Sequence, residues 1–203
     1  MPVTAKVIAL TFDGGSGAQA APSILGTLDR RDVPATFFLT GQFVRSFPQV
    51  ASRIGEEHLV GNHTDTHPDL TTLTDGAVRV EVRTAEQAVL AATGQDPRRF
   101  FRFPFGARDQ RTIGLLNDLC YVPFRWTVDT LGWKGTSDGQ SIATVVQRVL
   151  DGATPGGIVL MHLGANPDDG STLDADALPQ IITGLRDAGY RLVPLSRVLA
   201  AAP

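Results

Sequence analysis

Short β-rich runs alternate with amphipathic segments along almost the whole of this 203-residue chain. Strands that are each followed by a helix predict parallel pairing, with the helices outside the sheet. We therefore expect an α/β fold, a closed or nearly closed (β/α) barrel of about seven parallel strands with outer helices, with a doubly wound open sheet as the alternative. The predicted strands cover residues 6–12, 35–40, 58–61, 100–105, 121–129, 156–162 and 191–195.

Helical segments fall between these runs, and no linker, low-complexity tract or repeat divides the chain. The clearest helix covers residues 75–92, where Val78, Val82, Ala85 and Val89 recur at helical spacing. We expect one domain spanning residues 1–203. The other predicted helices cover residues 24–31, 43–57, 141–151 and 177–188.

Composition limits the classes of partner. Net charge is −3 and 19% of residues are charged, so no basic nucleic-acid surface is indicated. No apolar run approaches the ~18 residues that a membrane-spanning helix needs. No charged-then-apolar leader precedes the first strand, so we expect either a cytoplasmic protein or one whose leader has been removed. We also expect a monomer.

Two of the four histidines, His63 and His67, lie in the segment GNHTDTHPDL. Two imidazoles at this spacing can close on one cation from a single turn of backbone. Read alone, the segment fits an ordinary polar loop equally well.

The reactive side chains share one position, the carboxyl end of a predicted strand. In a β/α barrel these ends form one rim, where active sites lie. Strand ends are often polar, and coincidence explains one or two such residues but not all of them. The residues are Asp13, His63, His67, Arg102, Asp129 and His162.

Five short motifs occur in a characteristic order: TFDGG (11–15), HTDTH (63–67), RFPFG (102–106), DTLGW (129–133) and LMH (160–162). Together they resemble the motifs of the polysaccharide deacetylases, the NodB homology domain or carbohydrate esterase family 4. The resemblance implies a distorted (β/α) barrel with a divalent metal. It also implies removal of acetyl groups from a glycan substrate such as chitin or peptidoglycan. An extracellular or cell-envelope location follows by the same resemblance.

The resemblance also assigns roles. His63 and His67 correspond to metal ligands, for which zinc is expected and cobalt or nickel are alternatives. Asp13 corresponds to the general base, His162 to the general acid and Arg102 to the arginine that pairs with the base.

Three further positions match residues of the family that contact substrate. The backbone N–H of Phe105 corresponds to an oxyanion donor. Trp133 and Leu160 match residues that line the acetyl-methyl pocket, although both fit a core position as well.

Two family carboxylates are absent. Gly14 stands where the family has its third metal ligand, and Gly132 stands where an aspartate tunes the acid histidine. Water or substrate could fill the vacant coordination position, or Asp13 could be the third ligand, with Asp129 or Asp65 as base. A further alternative is that the site is impaired and the domain binds glycan without hydrolysing it. Another is that a domain of the same fold hydrolyses a small amide. We expect retained activity, with Asp129 as substitute partner of His162 or Arg102.

The segment NPDDGSTLD (166–174) follows His162. We interpret it as an acidic loop ahead of a helix capped by Asp174 or Asp176, with a cleft border as the alternative.

Overall fold

The structure, a computed structural model, describes the backbone of residues 5–200 and the side chains of residues 5–198. The strands are β1 (Val7–Gly14), β2 (Thr36–Leu39), β3 (Leu59–Asn62), β4 (Phe100–Phe101), β5 (Val122–Pro123), β6 (Val128–Asp129), β7 (Gly157–His162) and β8 (Arg191–Leu192). The α-helices are α1 (Ala21–Arg30), α2 (Gly41–Ser46), α3 (Pro48–Glu57), α4 (Asp75–Thr93), α5 (Gln110–Asp118), α6 (Ile142–Asp151), α7 (Leu173–Asp187) and α8 (Leu195–Ala200).

The strands of the described residues form one sheet. Within residues 5–200 the order is β5-β4-β3-β2-β1-β7-β6, and β8 pairs with β1. The pairs β1–β7, β1–β8, β3–β4, β4–β5 and β6–β7 are all parallel. The predicted fold class, a distorted or incomplete (β/α) barrel of parallel strands with outer helices, is confirmed.

Several predicted boundaries were wrong, in most cases because proline interrupts an element. The helix expected over residues 43–57 is two helices, since Pro48 has no N–H to donate and begins α3. Pro104 likewise ends the fourth strand early and begins a 3₁₀ turn, Pro104–Gly106. The run over residues 121–129 forms two short strands. Helix α5 was missed, although Asp109 and Thr112 form a capping box at its start.

The chain divides into two compact units. Among the described residues, the first unit holds residues 5–13, Gly17–Thr36 and 126–200, and in it α7 packs against α1 and α6 while β1 and β7 supply buried apolar residues. The second unit holds Gly14–Ser16 and Phe37–Arg125. A single domain over residues 1–203 stays a prediction. The second unit has a core of Leu70, Val78, Val82, Phe101, Phe103, Leu115, Leu116, Leu119 and Tyr121.

Of the helices within residues 5–200, none combines the length and the apolar character needed to cross a bilayer.

Candidate active site

The HTDTH loop begins where β3 ends, in the second unit. The Nδ1 atom of His63 lies 2.8 Å from the carbonyl oxygen of Arg102. A carbonyl oxygen only accepts, so Nδ1 carries the proton, and the lone pair of the neutral ring is on Nε2. Metal-binding imidazoles are usually oriented by this kind of hydrogen bond on the other ring nitrogen.

The loop turns back so that His67 meets His63. The centroids of the two imidazole rings are 4.8 Å apart. Two left-handed residues shape the turn, Thr64 at φ 69° and His67 at φ 65°. The Thr64 hydroxyl accepts the N–H of His67 at 3.1 Å, which offsets part of the cost of these backbone conformations.

The donor set fits a divalent cation in part. Two adjacent imidazoles are suitable ligands for zinc, but catalytic zinc sites usually have three protein ligands. In the part of the chain that the structure describes, no group of three or more His, Cys, Asp or Glu side chains could hold a metal. Gly14 offers no side chain, and Asp13 as third ligand stays a prediction.

Arg102 and Phe105 follow β4 in the same unit. The Arg102 side chain is fully buried, and its guanidinium carbon lies 4.2 Å from the ring centroid of Phe38. Phe105 is at φ 58° in the Pro104–Gly106 turn and is 72% exposed, while its ring centroid is 4.6 Å from that of His67. The pairing of Arg102 with Asp13 and the oxyanion role of the Phe105 N–H stay predictions.

A buried polar network fixes the residue before His63. The side-chain amide of Asn62 donates to the Val82 carbonyl at 2.9 Å and to the Tyr121 hydroxyl at 3.0 Å, and its oxygen accepts the N–H of Thr64 at 2.8 Å. Burial, together with nearby Glu86, raises the pKa of the Tyr121 phenol far above its ordinary value. Tyr121 is therefore neutral and donates to Glu86 at 3.0 Å.

Glu81 on α4 holds the middle of the loop. Its carboxylate accepts the N–H groups of Asp65 and Thr66, both at 2.9 Å, and the Thr66 hydroxyl at 2.8 Å. Arg45 binds the Asp65 carboxylate through two hydrogen bonds. Glu81 was missed from the sequence, because a lone glutamate on an amphipathic helix is normally part of the solvated face.

We expect Glu81→Gln to weaken zinc binding about tenfold, a typical effect of losing a group that orients metal ligands. The amide has one acceptor oxygen and cannot satisfy all three donors. Competition with a chromophoric zinc chelator would measure the affinity. Asp75→Asn, which removes a carboxylate from the same helix, is the matched control. Equal affinities in the two variants would contradict the prediction.

Asp13 and His162 lie side by side in the first unit. Asp13 of β1 is in register with His162, the last residue of β7, and Thr11 is in register with Leu160. Register partners on adjacent parallel strands direct their side chains to the same face, so these four side chains share one face of the sheet. Asp13 is 7% exposed and Leu160 is 3% exposed.

His162 has an altered proton affinity. Burial of the ring favours the neutral form, but the carboxylate of Asp174 and the charges of Asp13 and Asp129 outweigh it and raise the imidazole pKa above its ordinary value. Nδ1 lies 3.6 Å from Asp174 Oδ2, and the side chain is 30% exposed. The protonated form is therefore favoured at higher pH than in a free histidine.

The turn after β6 brings Trp133 to His162. Asp129 Oδ1 accepts the N–H of Leu131 at 2.9 Å, and Leu131 is left-handed at φ 57°. The ring centroids of Trp133 and His162 are 6.4 Å apart, and Trp133 is 46% exposed. Asn166 donates to the Trp133 carbonyl at 2.9 Å and so ties the acidic loop to this turn.

The interpretation of the segment 166–174 as a loop before a helix capped by Asp174 or Asp176 was wrong about the cap. Helix α7 begins at Leu173, and its N-cap, Thr172, makes no side-chain capping hydrogen bond. Asp174 lies inside the first turn, is 4% exposed, and accepts from the Thr130 hydroxyl at 2.6 Å and the His162 N–H at 2.8 Å. Asp176 is an exposed residue of the same turn. Neither aspartate is the cap.

Known proteins are similar to this chain in sequence and in fold. A peptidoglycan-N-acetylglucosamine deacetylase of Bacillus cereus is 33% identical over 96% of this chain and 68% of its own length. A chitooligosaccharide deacetylase of Bradyrhizobium is 34% identical over 95% of this chain and 90% of its own. A carbohydrate esterase family 4 pseudoenzyme from Bacillus anthracis has 32% identity and a TM-score of 0.87, and the match covers 97% of this chain and 66% of that one.

The family itself is matched by residues 1–124, which fit the model of the polysaccharide deacetylases. This match covers more than half of the chain and includes the motifs TFDGG, HTDTH and RFPFG. The enzyme class predicted from the sequence, a deacetylase acting on amide bonds of polysaccharides, is confirmed at the level of the family. The chain belongs to the polysaccharide deacetylase family.

Proposed function

We propose that the chain is a metal-dependent hydrolase that removes N-acetyl or O-acetyl groups from an acetylated glycan such as peptidoglycan or a chitin oligosaccharide. The observation that carries the proposal is the orientation of His63. Its Nδ1–H donates to the Arg102 carbonyl, so Nε2 is the ring atom that carries the lone pair of the neutral imidazole, and the ring lies 4.8 Å from that of His67. A loop that merely happened to be polar would not require this orientation.

His63 and His67 would hold the cation, with zinc expected by family resemblance. The chemistry that such an ion supplies when bound is polarisation of the acetyl carbonyl and acidification of water. Glu81 and Asn62 keep the loop in the conformation that brings the two imidazoles together. Water or substrate oxygen would complete the coordination in place of the carboxylate that Gly14 lacks.

Proton transfer is assigned to the first unit. Asp13 accepts the proton of the attacking water, and His162 donates a proton to the departing nitrogen. The raised pKa of His162 supports the acid role, because the ring must be protonated before the C–N bond breaks. Arg102 is assigned the role of the family arginine that pairs with the base. Asp129 contributes further negative charge near His162.

Binding of the acetyl group is assigned to three residues that the family resemblance indicates. The Phe105 N–H donates to the developing oxyanion, and Trp133 and Leu160 contact the methyl group. The exposed ring of Trp133 near His162 supports this assignment. Family membership is the ground for assigning residues of both units to one reaction.

A second candidate function is glycan binding without catalysis. Gly14 removes a family ligand, and one relative of the same fold is a pseudoenzyme. The described residues also offer no metal-binding group of three. The presence of both histidines, Asp13, Arg102 and His162 favours the active enzyme, because a binding module has no need to keep an acid and a base.

Acetate release separates the two functions. Chitin oligomers, peptidoglycan fragments and acetylated xylan would be incubated with metal-stripped protein and with protein loaded with zinc, cobalt or nickel. Metal-dependent release is the expected result, and the best substrate would identify the target. Glycan binding without release from any substrate would establish the binding module.

The remaining assignments follow from the family. A glycan polymer is the proposed partner, and an extracellular or cell-envelope location would place the enzyme beside such a substrate. We also propose that the chain acts as a monomer.

A further inference from the structure

The carboxylate of Asp174 occupies the space that a side chain at position 132 would need. A Cβ atom added to Gly132 would overlap Asp174 Oδ1 and lie 2.7 Å from its Cγ. Real Cβ atoms do not approach other atoms this closely, so an Asp174 carboxylate in this position and a side chain at 132 exclude each other. The glycine is therefore what allows Asp174 to reach this position.

Asp174 is held in place from several directions. Its Oδ1 accepts the Thr130 hydroxyl, and its Oδ2 accepts the backbone N–H of His162. The side chain lies in the first turn of α7, where the helix dipole favours negative charge. A buried carboxylate that is satisfied in this way keeps one position.

The same Oδ2 atom lies 3.6 Å from Nδ1 of His162. Three carboxylates raise the pKa of this imidazole: Asp174 of α7, Asp13 of β1 and Asp129 at the end of β6. Asp174 differs from the other two because it also anchors the backbone N–H of His162. It therefore holds the main chain of His162 through a hydrogen bond and can attract the protonated ring of the same residue.

We infer that Asp174 is the positioning residue for His162, its carboxylate facing Nδ1 from the volume left open at Gly132. The inference rests on the proposed function in treating His162 as the acid. The proton given to the departing nitrogen leaves from Nε2, while Nδ1 stays on the side of the ring that faces Asp174. A carboxylate from α7 thus takes the role of the family aspartate at position 132, which tunes the acid histidine.

The first test compares Asp174→Asn with Asp176→Asn, which removes an exposed carboxylate from the same helical turn. We expect Asp174→Asn to lower kcat about 10–100-fold with little change in KM. Loss of the charge should also move the alkaline limb of the kcat profile to lower pH, because the protonated ring is less favoured. Asp176→Asn should stay within twofold of the parent protein. Equal losses in the two variants would overturn the inference.

Rescue provides a second test. Asp174→Ala removes the carboxylate atoms that a Cβ at position 132 would overlap, and the nearest remaining atom, the backbone nitrogen of residue 174, is 3.2 Å away. With a small shift of that backbone, the double variant Gly132→Asp/Asp174→Ala can present a carboxylate from the other side. We expect kcat at least about tenfold above that of Asp174→Ala alone, a recovery within the range that such orienting groups control. Gly132→Asp by itself should be impaired, because both carboxylates compete for one space. A folded double variant no better than Asp174→Ala would count against the inference.

A third measurement does not depend on acetate release. NMR titration of the His162 imidazole, with its signal assigned by comparison with His162→Asn, should give a lower pKa in Asp174→Asn than in the parent protein. If this shift is present but the parent releases no acetate, the proposed function fails and the positioning role stands. Equal pKa values in the two proteins would overturn the positioning role, whatever the activity.

Discussion

Replacing His162 with asparagine is expected to lower kcat for acetate release from an N-acetylated glycan about 10²–10⁴-fold, the usual contribution of a general acid. Asparagine cannot give up a proton at neutral pH, and an amine cannot leave without one. Its backbone N–H can still donate to Asp174, so the fold around β7 should be kept. KM should change little.

The leaving group distinguishes loss of the acid from general damage. An aryl acetate releases a phenolate, which departs without protonation, so His162→Asn should hydrolyse it at close to the parent rate. Steady-state kinetics on both substrates, with thermal unfolding as a check on folding, would measure the difference. A similar loss on the amide and on the aryl ester would remove His162 from the acid role.

Replacing either His63 or His67 with alanine is expected to lower zinc affinity by more than ~100-fold, since loss of a direct ligand should exceed the 10–100-fold cost of losing an orienting group. Acetate release should fall to the level of the metal-stripped protein in either variant. The two imidazoles act as one unit, so the double variant should show no further loss of activity. Competition with a chelator would measure binding, and acetate release would measure activity.

Thr66→Ser is the control for this pair of substitutions. It changes the same loop but keeps the hydroxyl that Glu81 accepts. Its zinc affinity should match that of the parent protein. If His63→Ala and Thr66→Ser bound zinc equally well, the two histidines would not be the ligands.

The fold class and the position of the motif residues at strand ends were predictable from the sequence, because both depend on patterns within short segments. Alternation of β-rich runs with amphipathic helices predicts parallel strands connected by helices. The motif residues lie at the ends of these strands, as Asp13 and His162 do. The errors arose where one residue interrupts a pattern, as Pro48 does between α2 and α3. Such interruptions change boundaries and leave the topology intact.

The groups that support the motif residues were not predictable. Asp174 is 12 residues from His162, and Glu81 is 16 residues from Asp65, so each contact depends on how a helix packs. In the sequence, Asp174 has the composition of a helix start and Glu81 that of a solvated face. Asp129 as substitute partner stays a prediction, but the geometry at Gly132 favours Asp174.

The acceptor that orients His63 belongs to the main chain of Arg102 and not to its side chain. A substitution at position 102 changes the guanidinium but not the chemical nature of the acceptor, because every amino acid has a backbone carbonyl. A substitution at position 102 therefore does not remove the acceptor that selects the tautomer of His63. Losing this tautomer requires the backbone after β4 to take another path, so the orientation of His63 depends on the course of the main chain and not on the side chain at position 102.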